Sequence, residues 1–144
     1  MEIMTTRFGT LDIEEGKILT FTHGIPGFAD KRRFILIPHG EESPFFWLQC
    51  LDDPDLAFPV LDPAVILSDY SFEIPDGIQE ELGITRQEQV QVLVIVTVPR
   101  ENPRKMTANL LGPVVLNVET MTGCQIVLDH TRYPLKYPLF KEDS

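Results

Sequence analysis

The side chains able to do chemistry are few in type and poorly grouped. His23, His39 and His130 fall in no HxxxH or HExxH spacing and in no cysteine-histidine array, so they do not read as a metal site. Cys50 and Cys124 stand far apart, with no CxxC pair, and read as small buried apolar groups of a reducing compartment. Asp52-Asp53-Pro54-Asp55 concentrates carboxylates, but it lacks the alternating D-x-D-x-D-G pattern of a calcium loop. It reads as a solvated turn between two strands. Carboxylate pairs for general acid and base work could be drawn from so many acids, yet no mixed polar site accompanies them. GxSxG, GxGxxG and Walker-type glycine loops are all missing. The residues therefore predict no catalytic centre, no metal and no cofactor.

Charge is the stronger signal. The 144 residues hold 22 Asp and Glu against 12 Lys and Arg, a net charge of −10. From Phe34 to Thr85 there is no Lys or Arg, while eleven acids run from Glu41 to Glu81. That stretch carries −11 and the rest of the chain about +1. Nucleic-acid binders need cations to displace counterions from phosphates, so direct DNA or RNA binding is not expected, and basic proteins are the better partners. The N-terminus has no signal-peptide pattern, and the longest apolar run, Val92 to Val96, is too short to cross a bilayer. The expectation is a cytoplasmic protein with no membrane partner.

Positioning these residues falls to short strands. Twelve prolines leave room for little helix. Phe8 to Ile13 and Lys17 to Thr22, around Glu14-Glu15-Gly16, read as a hairpin. Arg33 to Pro38, Pro44 to Leu51, Tyr70 to Ile74, Val90 to Val98, Leu110 to Val118 and Cys124 to Leu128 read as further strands. Val92 to Val96 is apolar at every position, as a strand covered on both faces should be. One short helix is predicted from Asp76, with a capping box to Gln79, Ile78 and Leu82 on one face, and Gly83 as its stop. A second short turn is predicted where Thr85 and Glu88 repeat the capping spacing. The fold class is mostly β: a small antiparallel β-barrel-like single domain, residues 1–144, with one or two short helices and a frayed tail at Lys141 to Ser144. A sandwich is the alternative architecture.

Several segments suit partner binding. Gly24-Ile25-Pro26-Gly27-Phe28 makes a rigid turn that either presents Ile25 and Phe28 or plugs them into a barrel end. In Phe45-Phe46-Trp47 successive side chains point to opposite faces, so Phe45 with Trp47 or Phe46 with Leu48 must be covered by another element or offered to a partner. Asn109 lies in an apolar strand approach and must find hydrogen-bond partners there. The proline-punctuated segment Arg132 to Leu139, which includes Tyr133, straps an edge or offers one.

Together GIPGF at Gly24 to Phe28, SPFFWLQCLDDPDLAF at Ser43 to Phe58, VTVP at Val96 to Pro99, MTANLLGPVVLN at Met106 to Asn117, and VLD then YPL at Val127 to Leu135 resemble the FliW family of flagellar assembly factors. The motifs span nearly the whole chain in order. The chain departs from the family pattern at Cys50, where a small polar residue is usual, at Gly112, where alanine is common, and at Lys136-Tyr137, in place of a more basic pair. The resemblance implies a compact, non-enzymatic cytoplasmic barrel that binds newly made flagellin. It also implies binding to CsrA, the RNA-binding regulator that represses flagellin translation. On that basis the partner-binding candidates are Ile25, Phe28, Phe45, Phe46, Asn109 and Tyr133, with Asp52, Asp53 and Asp55 as rim charges that speed encounter. A small-ligand-binding barrel or a carboxylate-based hydrolase using the acidic segment is the competing class.

Overall fold

A computed structural model describes residues 1–129 and 133–140. The predicted frayed tail at Lys141 to Ser144, together with His130 and Arg132, lies outside the described residues. Twelve regular elements follow one another: β1 (Glu2–Thr5), β2 (Gly9–Asp12), β3 (Leu19–Thr20), β4 (Arg33–Pro38), β5 (Phe45–Cys50), β6 (Ala57–Leu61), α1 (Asp76–Glu81), β7 (Val90–Thr97), β8 (Thr107–Ala108), β9 (Val114–Asn117), β10 (Thr122–Gln125) and β11 (Tyr137–Pro138). Strands β7, β6, β5, β4, β3, β10 and β9 pair in that order, and β9 pairs back onto β7. The sheet is thus a closed seven-stranded barrel, which leaves no open sheet edge around its circumference except where a ladder lapses. Among the described residues the only parallel pairing is β3 with β10, at Thr20 and Thr122.

Alternation fills the barrel. Phe34, Leu48, Cys50, Val60, Leu93, Val114 and Leu116 point inward and are 0–1% exposed, as is Phe21, and Ile25 joins them at one end. Gly123 also faces in: a Cβ there would lie 2.7 Å from both Leu116 and Phe21. Three outer patches are covered by the remaining elements. The β1–β2 hairpin packs Ile3 and Ile13 on Ile35. Helix α1 and residues 72–74 pack around Leu82 onto Val115 and Ile126. The 3₁₀ turn Pro63–Val65 and the segment from Tyr133 through β11 cover Val94, Val96 and Leu110. This covering is why Val92 to Val96 is apolar at both parities.

Four expectations are corrected. The first hairpin is β1–β2, with Ile3 opposite Leu11, and Lys17 to Thr22 does not pair with it. Its reversal sits at Thr5, whose hydroxyl donates to the Gly9 carbonyl at 2.8 Å and accepts from Phe8 N–H, while Gly9 takes φ +69. Glu15–Lys17 instead forms a 3₁₀ turn. Strand β6 was not anticipated, because Pro59 interrupts its pattern. Tyr70 to Ile74 is extended but belongs to no strand, because its alternation reflects one packed face rather than a ladder. The capping box at Asp76 does not form: Pro75 occupies the N-cap, and Gln79 Nε2 donates to the Ile74 carbonyl at 2.7 Å. Gly83 does stop the helix, at φ +68, with Ile84 N–H donating to the Gln79 carbonyl at 2.8 Å.

Candidate partner-binding surface

The Gly24–Phe28 loop divides its two apolar residues. Ile25 and Phe28 form a bridge, with Phe28 N–H donating to the Ile25 carbonyl at 2.6 Å around Pro26 and Gly27, the latter at φ +88. Proline followed by positive-φ glycine is the arrangement of a type II turn. Gly24 is held so close to the backbone of Phe28 and Ala29 that a Cβ would meet it at 2.6–2.8 Å. The turn folds Ile25 back into the barrel at 2% exposure, so this candidate is a plug and not a presented anchor. Phe28 stays 36% exposed and rests edge-on against Phe58, ring centroids 5.4 Å apart.

Strand β5 behaves as its parity requires. Phe46 points into the barrel with Leu48, at the end opposite the Ile25 plug. Phe45 points out and packs on the patch around Leu61 and Val94. Trp47 is also outward, covered by Phe8 and by the Arg7 guanidinium 4.0 Å above its ring. Both parities are therefore half-buried, and neither aromatic pair forms an open apolar patch.

The three aspartates fasten a turn. Asp52 accepts from the backbone N–H of Arg32 and of Arg33, both at 3.0 Å, and from the Arg33 guanidinium at 3.0 and 3.1 Å. Burial works against the charged form, but the Arg33 and Arg32 amides and the guanidinium outweigh it, and the carboxyl is held below its ordinary range. Asp53 accepts from Asp55 N–H, and Asp55 accepts from the Thr6 hydroxyl. These carboxylates hold the β5–β6 turn to the start of β4 and to the N-terminal hairpin, which makes them poor free rim charges. Asn109 is likewise internal, its side-chain oxygen accepting from Leu111 and Gly112 N–H at 3.1 and 2.9 Å. Tyr133 lies 4.5 Å from Tyr70 ring to ring, and its hydroxyl accepts from Ser71 N–H at 3.0 Å.

The acidic third of the chain does not form one face. Glu41 and Glu42 precede β5 while Asp52, Asp53 and Asp55 follow it, so the six-residue strand sets the two groups about 20 Å apart. What remains concentrated is the stretch from Asp62 to Glu88, seven acids with Arg86 as its one cation. Part of this stretch lines an apolar groove of about 530 Å³, floored by Val90 and Val92 of β7 and walled by Tyr70, Phe72, Ile74 and Ile84. None of these residues was anticipated as a site. The available signal was the pair Pro59 and Pro63, which bracket a strand and limit its pairing.

An enzyme or small-ligand reading turns on where the titratable groups gather. Among the described residues no three His, Cys, Asp or Glu side chains gather as metal ligands. The two carboxyls with a clear shift, Asp52 and Glu119, both shift down, Glu119 chiefly through the Arg86 side chain. Burial pushes the Cys50 and Cys124 thiols up, away from the reactive thiolate. A second cavity, about 540 Å³, opens at the unplugged barrel end, lined by Leu36, Phe46, Gln91, Leu116 and Met121 with Lys17 at its rim. No carboxylate lines it among the described residues. Among the described residues no helix is long and apolar enough to cross a membrane.

Comparison with known proteins agrees with this architecture. The profile of the FliW protein family matches residues 2–139. A flagellar assembly factor FliW of Desulfitobacterium hafniense (strain Y51) is 43% identical over 142 residues, 99% of this chain and 93% of that one. A protein of the same name from Moorella thermoacetica is 39% identical over 142 residues, covering 99% and 90%. The crystal structure of a flagellar assembly factor FliW superposes with a TM-score of 0.92 at 35% identity, covering both chains in full.

Proposed function

The chain belongs to the FliW family, and from that premise we propose that it is a non-enzymatic flagellar assembly factor that binds flagellin in the cytoplasm and, once flagellin is exported, binds the RNA-binding repressor CsrA. The observation that supports this reading is the end-to-end match in sequence and fold to proteins named as flagellar assembly factors. The mechanism needs only mass action. A factor held by one partner is unavailable to the other, so the flagellin concentration sets how much CsrA remains free to repress translation.

Charge supplies a second contribution. A protein bound to CsrA and carrying the acids Asp62 to Glu88 would oppose an approaching phosphate chain without covering the RNA site. Asp52, Asp53 and Asp55 are less suited to that role, because their carboxylates are already engaged.

The test is a competition. Tagged protein is incubated with purified CsrA, and flagellin is added in steps. CsrA should leave the tagged protein as flagellin binds, and CsrA affinity for its RNA should return in step. Failure to bind either protein, or independent binding of both, would sink the switch.

A further inference from the structure

We infer that the β6–β7 seam contains a strand-addition site, an open edge of β7 at Val92 that takes an extended peptide segment of alternating basic and apolar residues. This goes beyond the partner switch, since it assigns a surface and a binding mode whichever protein supplies the segment.

The seam is a short one, and shorter than the β7–β9 ladder on the other edge of β7, which pairs four positions. It consists of Val60 opposite Ile95 and Leu61 opposite Val94, whereas β4–β5 and β5–β6 each pair five positions. Carried on in the same register, the ladder would set Pro59 opposite Val96 and Pro63 opposite Val92. Both are positions where the β6 backbone points toward β7, because Leu56, an odd number of residues earlier (three before Pro59, seven before Pro63), turns its carbonyl to Cys50 N–H of β5. Proline has no N–H to give, so the ladder stops at both ends, and after Leu61 the chain turns away into Pro63–Val65. On the opposite edge of β7, Val118 N–H donates to the Gln89 carbonyl and Gln91 and Leu93 face β9. The polar backbone of Val92 therefore faces the gap. Val90 N–H is closed off by the Gln87 carbonyl, but on its β6-facing edge Val92, whose other neighbour is Val115 of β9, has no strand residue paired with it among the described residues.

The surroundings select the occupant. The gap opens into the 530 Å³ groove, whose half-buried Val90, Val92, Tyr70 and Phe72 give alternate side chains of an added strand an apolar seat. Its rim carries acid: Asp62 lines it, and Asp69 is exposed beside Tyr70 on the segment that walls it. The one cation that lines it among the described residues, Arg86, is engaged with Glu119. Strand addition combines main-chain hydrogen bonds with pockets for alternate side chains, and here the charge complement must be positive.

The experiment titrates the isotope-labelled full chain with acetyl-Lys-Val-Lys-Val-Lys-amide and follows backbone amides by NMR. Expected are shifts confined to 62–64, 70–74 and 84–92, with slower hydrogen exchange at Val92. A Glu-for-Lys peptide should not bind, and Asp69→Asn should weaken the lysine peptide without changing the fold. Two further peptides are N-methylated on alternate residues. One should lose roughly tenfold in affinity, the effect of one main-chain hydrogen bond, and the other should keep it. Shifts elsewhere, no shift at millimolar peptide, or equal binding of the two methylated peptides would overturn the assignment.

Discussion

At the residue scale, polar groups that looked available for a partner are spent on closing the chain. Gln49 is fully buried in β5, and its Nε2 donates to the carbonyls of Cys50, Leu56 and Pro54 at 3.0, 3.1 and 3.3 Å. Asp52 completes the same turn from the other side through two backbone amides and Arg33. Asp52→Ala should cost about 1–2 kcal/mol at neutral pH, mostly from the backbone amides, since the half-exposed Arg33 pair contributes little. Because folding lowers this carboxyl below its ordinary value of 3.8, its stabilisation is present in full above that value and is lost as pH falls through the lower, folded one. Urea unfolding at a series of pH values should therefore show the gap between wild type and variant closing below pH 3.8; a gap that persists there would contradict this account.

At the element scale, the barrel is a scaffold and its coverings are the separable parts. The β1–β2 hairpin is held to β5 by Trp47, through Phe8 edge-on at 6.2 Å and Arg7 at 4.0 Å, and to the β5–β6 turn by Thr6. Trp47→Ala should raise hydrogen exchange at Ile3 to Thr5 and Gly9 to Leu11 by roughly tenfold more than at Leu48 or Val60, the signature of a hairpin that opens locally while the barrel stays closed. Equal acceleration everywhere would mean the hairpin is part of the barrel's cooperative unit. Elements of this kind were only partly legible in the sequence. Strands β4, β5 and β7 could be read directly, since each combines apolar alternation or a continuous apolar run with clear flanking breaks. Strand β6 was hidden by its proline, and Tyr70 to Ile74 showed a strand's pattern without a neighbour to pair with.

At the scale of the whole molecule, net charge is divided by the fold. Barrel strands carry the chain from end to end, so acids adjacent in sequence part company whenever a strand intervenes, while those from Asp62 to Glu88 lie on a stretch that no strand interrupts. If that region steers a basic partner, the triple change Asp69→Asn, Glu73→Gln and Glu80→Gln should slow association with CsrA by roughly tenfold at low salt. The difference should shrink at about 1 M salt, where screening acts within some 3 Å. Stopped-flow association rates decide this, and an equal loss at every salt concentration would point to contact rather than steering.

The sequence by itself determined the class of the protein: the proline spacing, the strand periodicities and the ordered motifs from GIPGF to YPL placed it among β-barrels of the FliW kind, because those signals act within a few residues of one another. Which of the candidates could meet a partner was decided only by the tertiary structure. Ile25 became a plug, the aspartates and Asn109 became fasteners, and the acid-rimmed groove over Val92 appeared from residues that looked like ordinary core. The physical reason is register: burial and backbone pairing depend on what lies across the sheet, and two prolines spaced to end a ladder show their effect only when the opposing strand is in place.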